Sequence, residues 1–314
     1  MSKLNRDAFT QFAKLVLGYT VIVILWGAFV RATGSGAGCG AHWPLCNGEL
    51  IPRSPSVARI IEFSHRLSSG LSLALVLALV LQSRRVFAVG HPVRRAAIWA
   101  FVFIIGEALV GAMLVLLKLV AGNDSGLRAI VIGLHLLNSF LLLFWLTRVV
   151  FLAKTEVATS TAPARAVFIS RVGILTCLIA VAITGAAGAI AALGDTLFPV
   201  TSLADGLAQD FSPAAHYLIK LRKWHPIFAC STMLYVVFQT MVLPGWFPGV
   251  VNRRLGTIVC CLVIFQVFGG FLNLILLAPV WMQLFHLLCA DAIWITLSLW
   301  YFSTGQPAAD EAAS

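Results

Sequence analysis

Four histidines, His65, His135, His225 and His286, stand inside long apolar runs. An ionisable side chain in such surroundings is costly and points to a functional position. Glu62 precedes His65 by three residues, about one helical turn on the same face, and Arg66 follows it; the place before His225 that matches Glu62 holds Arg222. Cys39 and Cys46 lie a short interval apart in a glycine-rich stretch. The set supports three kinds of chemistry. Neutral imidazoles ligate metals, a carboxylate one turn away acts as a base toward water or stabilises a cation, and paired thiols form a disulfide.

The elements that must position these groups follow from composition. Of 314 residues, 60% are hydrophobic and 11% charged, with a mean hydropathy of +0.95, too apolar for a domain with a water-facing exterior. The bilayer is the solvent, and long unbroken runs select helices over a barrel, whose segments are short and alternating. Eight runs are long enough to cross, at about 11–31, 61–82, 96–118, 128–152, 167–193, 223–243, 255–277 and 280–303. The expected fold class is all-α, a polytopic membrane protein of eight transmembrane helices. The first run follows Lys3 and Arg6 as a signal peptide would, but its length and Arg31 at its end read as a retained helix.

The net charge of +10 does not describe a nucleic-acid surface, because the basic residues fall in short groups between apolar runs. Arg84, Arg85, Arg94 and Arg95, then Lys154 and Arg165, then Arg253 and Arg254 assign three connections, and with them both termini, to the cytoplasm. The long connections 32–60 and 194–222 then lie outside, where function would concentrate. Lys220, Arg222 and Lys223 depart from that charge rule; attraction to an anionic ligand group such as a propionate, or interfacial snorkelling, would each account for them.

Spans one to four read as repeated in five to eight. Gly27-Ala28-Phe29-Val30 pairs with Gly185-Ala186-Ala187-Gly188, Glu107-x-x-x-Gly111 with Gln266-x-x-x-Gly270, and Leu134-His135-Leu136-Leu137 with Phe285-His286-Leu287-Leu288. The shared order implies two pseudo-symmetric four-helix bundles, 1–153 and 167–304, joined by a small, polar linker 154–166 and followed by a cytoplasmic tail 305–314. Each half owns one histidine pair, His65 with His135 and His225 with His286, all within about 12 Å of the outer ends of their spans at ~1.5 Å per residue. Imidazole pairs on facing helices suit axial ligation of a haem iron. A lone histidine bonding across a helix interface is the plainer reading, which duplication argues against. A closed zinc site would need four converging ligands. His42 and His91 read as surface residues, and His216 lies outside the sixth run and does not match His65.

Cys39 and Cys46 fall in the first outer loop, an oxidising setting, and are expected to be bridged, as a structural link or as one that exchanges with an external thiol. Cys177, Cys230, Cys260, Cys261 and Cys289 fall within spans as small packing residues. Glu62 is open to two readings, a catalytic carboxylate or one favoured at a helix N-terminus.

Thr33-Gly34-Ser35-Gly36-x-Gly38-Cys39-Gly40, then Trp43-Pro44-Leu45-Cys46-x-Gly48, then Glu62-Phe63-Ser64-His65-Arg66, with the histidines of spans four, six and eight, resemble the bacterial haem A synthases over nearly the whole chain. The resemblance implies an enzyme of the bacterial inner membrane that oxidises a methyl group of haem O to a formyl group through successive hydroxylations, making haem A for terminal oxidases. It implies that His65 and His135 bracket the substrate haem with Arg66 nearby, that Glu62 is the acid or base nearest the reacting methyl, and that His225 and His286 ligate a resident haem b. Cys39 and Cys46 would be the disulfide found in part of the family. Haem O, a haem O synthase and an electron acceptor are the implied partners. Two positions depart from the pattern: Lys223-Trp224-His225-Pro226 lacks the His-Arg pair of the first half, and Glu107 stands where a glutamine is expected.

The four histidines alone equally support a two-haem electron-transfer cytochrome. Two parallel repeats would also fit a haem or solute transporter, which predicts reversible loading and no covalent change. The asymmetric Glu62 and the cysteine loop favour chemistry in one half.

Overall fold

The computed structural model describes residues 3–53, 56–155 and 162–306. These residues form ten α-helices: α1 (Lys3–Ala32), α2 (Val57–Val86), α3 (Pro92–Leu116), α4 (Gly126–Lys154), α5 (Ala164–Leu197), α6 (Leu203–Phe211), α7 (Tyr217–Arg222), α8 (Trp224–Trp246), α9 (Arg253–Ile275) and α10 (Val280–Ser303). Eight spans are long and apolar enough to cross a membrane, with α7 and α8 together making one. The chain is a multi-pass helical membrane protein. Most helices extend a few residues past the apolar runs, because hydropathy reports only the hydrocarbon layer while backbone bonding continues into the interface. Within the expected linker and tail, 156–161 and 307–314 lie outside the described residues.

Helix starts carry their expected caps. Ser56, Ser125 and Asn252 accept backbone N–H bonds at the heads of α2, α4 and α9, and His91 caps α3 ahead of Pro92. Beyond α3 and α9 the backbone turns through a left-handed non-glycine residue, Lys118 and Leu277 respectively, each eleven residues after Glu107 and Gln266. This matched irregularity supports the internal repeat more specifically than any stretch of Gly and Leu.

Packing is uneven along the bundle. One apolar core joins α1 to α4 around Phe9, Val76, Leu79, Ala100 and Leu146, and a second joins α5, α8, α9 and α10 to α4 around Phe140, Ile174, Val236, Trp294 and Trp300. Both cores fill the bundle toward the end bearing the 87–91 and 247–252 turns, the terminal face. At the opposite end, the loop face, lie a short 3-10 turn (Ser35–Ala37), α6 and α7. Side chains there leave the interior open.

Candidate functional site

That opening is one cavity of about 1350 Å³, lined by residues of both halves, including all four histidines, Glu62 and Glu107. It exceeds the ~300–1,000 Å³ of an ordinary small-molecule site.

In the second half, α8 and α10 bring His225 and His286 together, with ring centroids 6.3 Å apart and planes nearly perpendicular, at 86°. Imidazole nitrogens each ~2.0 Å from a shared metal would set the ring centroids about 6 Å apart, so the pair fits an axially ligated haem iron. His225 Nδ1 lies 3.2 Å from the Thr184 carbonyl, which directs its other nitrogen away. Space for the ring comes from Gly188 on α5, where a Cβ would stand 2.7 Å from His225 Cε1; Gly27 on α1 does the same for His65, at 3.0 Å. The repeat therefore matches Gly27 with Gly188, three residues from the Gly27–Gly185 match that sequence suggests. Gly185 instead lies against Phe140.

In the first half, His65 and His135 line the same cavity. Glu107 on α3 places Oε2 2.9 Å from His135 Nδ1. Its Oε1 accepts from Asn138 Nδ2 at 2.6 Å and Ser139 Oγ at 3.1 Å. The equivalent Gln266 carries no charge and donates instead to the His286 carbonyl, at 3.0 Å.

Glu62 is 3% exposed. Its Oε2 accepts from the Cys39 backbone N–H at 2.8 Å and its Oε1 pairs with Arg66 Nη2. Arg66 Nη1 donates to the carbonyls of His42 and Leu45, each at 2.7 Å, so it ties the cysteine loop to α2. Cys39 and Cys46 form a disulfide. Gly38 lets the loop lie on the head of α2, since a Cβ there would come within 2.6 Å of the Ala58 backbone.

Arg222 occupies the Glu62 position of the second half and is buried, bonding Asp195 at 2.9 Å and Asp210 at 2.8 Å. These carboxylates account for Arg222 where sequence offered a propionate or snorkelling. Lys220 donates to the Pro213 carbonyl, and Lys223 lies 5.2 Å over the Phe211 ring. His216 caps α7, 3.5 Å from Asp124 Oδ2, and His91 caps α3. The five remaining cysteines are free. Among the described residues no cluster of three or more His, Cys, Asp or Glu is arranged to hold a metal. Sequence reasoning used Arg31 only as the end of the first run and passed over Arg128; both line the cavity at its loop-face end. Their signal was present, as arginines at the edges of apolar runs.

Residues 10–298 match the family described as cytochrome oxidase assembly protein. A Thermus thermophilus protein named protoheme IX farnesyltransferase is 46% identical over 284 residues, covering 89% of this chain and 46% of the relative. A Bacillus cereus heme A synthase is 43% identical over 131 residues, covering 42% of this chain and 40% of the relative. The chain spans about half the length, or less, of these curated relatives. With the match extending over nearly all eight spans, the chain belongs to the cytochrome oxidase assembly protein family, that of the haem A synthases.

Proposed function

We propose that the protein is a haem A synthase, an oxidoreductase that converts a methyl group of haem O to a formyl group. One observation carries the reading. Glu62, with both oxygens fixed, lines the cavity beside the first histidine pair, while the equivalent place beside the second holds an arginine neutralised by Asp195 and Asp210. A carboxylate at this position in one half and a neutralised arginine in the other support covalent chemistry in the first half and electron transfer in the second.

His65 and His135 hold the substrate haem, and Arg66 and the Cys39 N–H orient Glu62 so that its remaining lone pairs face the methyl to be oxidised, where it takes a proton from water or steadies positive charge. His225 and His286 hold haem b, whose bound iron supplies one-electron redox chemistry. Glu107 orients the His135 ring. The halves 1–153 and 167–304 are the substrate and resident-haem units.

The arginine-rich connections support both termini in the cytoplasm with the loop face outside, and the bacterial relatives support an inner-membrane placement. The Thermus thermophilus relative is named for transfer of a farnesyl group to protohaem, and haem O is a farnesylated protohaem. That supports supply of the substrate by such a transferase, with a separate acceptor taking the electrons.

The test is to express the protein in membranes containing haem O and identify the extracted haems by chromatography and mass spectrometry. Haem A or its hydroxylated precursor, absent with Glu62→Gln, is the expected result. Haem b alone, with haem O unchanged, would establish an electron-transfer cytochrome instead.

A further inference from the structure

Two arginines at the loop-face end of the cavity are left without carboxylate bonds among the described residues. Arg128, in the first turn of α4, is 3% exposed; its Nη1 donates to the carbonyls of Ala121 and Asn123, both at 2.6 Å, and its Nε has no partner. Arg31, in the last turn of α1, bonds only neutral oxygens, those of Ala192, Thr196 and Gln283, at 2.7–2.8 Å. Both side chains line the same cavity. Asp195, which also lines the cavity, bonds Arg222. Asp195 and Asp210 are both taken by Arg222, and an apolar cavity wall leaves the charge of Arg31 and Arg128 poorly solvated.

Their placement relative to the imidazoles is directional. Arg128 lies seven residues before His135, two turns and about 10 Å toward the loop face on the same side of α4. Arg31 lies one turn beyond Gly27, over which His65 packs. In the second half the residue seven before His286 is Pro279, which carries no charge.

We propose that Arg128, with Arg31 beside it, is a carboxylate-binding site of the first half, taking a propionate of a porphyrin held between His65 and His135. The assignment rests on the haem reading of that histidine pair and extends it. A flat macrocycle ligated by the pair needs its acidic edge fixed so that one methyl is presented to Glu62. A guanidinium fork matches a carboxylate, and charge-assisted bonds in a desolvated site are strong enough to set that orientation. Arg222 does not serve, because its bonds are satisfied by Asp195 and Asp210.

The test is an optical titration of the full-length protein in a His286→Ala background with ferric protohaem and with its dimethyl ester, in which both propionates are masked. Before substitution, the free acid is expected to bind about tenfold or more tightly than the ester. Arg128→Gln should abolish that preference while leaving ester affinity unchanged, and Arg128→Lys should restore part of it; if Arg128→Gln does not fold, Lys against Arg is compared by the same ratio. Equal weakening of both ligands would make Arg128 a brace for the α3–α4 turn and overturn the site, as would no change in either. If neither ligand binds before Arg128 is changed, the haem reading itself fails and the carboxylate site falls with it.

Discussion

Glu107 Oε2 stands 2.9 Å from His135 Nδ1, while the residue in the same place of the other half, Gln266, turns its amide to a backbone carbonyl. A carboxylate this close to Nδ1 leaves the other ring nitrogen to bind metal, and its negative charge raises the basicity of that nitrogen. A single Glu/Gln difference thus gives the two histidine pairs different electronic character. The carboxylate is itself held by Asn138 and Ser139, so its aim does not depend on a mobile side chain.

Glu107→Gln should weaken haem retention at the first pair by roughly 10- to 100-fold, the usual cost of losing such a partner. It should also raise the midpoint potential of haem bound there, because a less basic imidazole stabilises ferric iron less. Redox titration of each haem separates this from a general loss of fold, which would move both potentials. An unchanged first potential would reduce Glu107 to a packing group.

Spans, histidine pairs and the cysteine loop were legible because each is written in contiguous residues: a run of apolar side chains, a helix-face spacing, a loop between two cysteines. The partners of those groups were not. Glu107 and His135 lie on different helices, and nothing in either span says which side chains meet. The Gly27–Gly188 match was displaced by three residues because glycine and alanine recur through α5, and only the ring that packs on Gly188 settles the register. Arg222 read as one of an outer basic cluster, open to a propionate or to snorkelling, because one of its carboxylates, Asp210, sits on α6, a short helix inside what reads as a loop.

Glu62→Gln removes the charge that Arg66 pairs with while keeping the side-chain shape. The histidines are untouched, so bound haem should persist at both pairs while formyl production is lost. Pyridine haemochrome quantification beside mass spectrometry of the extracted haems checks both halves of the statement. Normal haem A formation would remove Glu62 from the chemistry.

The Cys39–Cys46 link closes a short loop whose backbone also supplies a bond to Glu62. By loop entropy alone its removal costs about 2.5 kcal/mol. Cys39→Ser with Cys46→Ser should therefore lower the melting temperature in detergent and expose the loop to protease. It should also reduce formyl production more than haem content, because Glu62 loses a rigid anchor while the ligands do not. Equal loss of both would indicate that the loop supports the whole bundle.

Gly188 and His225 offer a test of the second pair that leaves both ligands in place. A Cβ at Gly188 would meet His225 Cε1 at 2.7 Å, inside any real contact distance, and α5 cannot retreat because Ile174, Cys177 and Leu178 anchor it in the core. The ring must swing instead, which breaks its 6.3 Å relation to His286. Gly188→Val should therefore lose the low-spin spectrum of the second haem as completely as His225→Ala does, while the first pair, over Gly27, keeps its own. Retention of a full low-spin spectrum in Gly188→Val would mean that the iron is held by some other residue than His225.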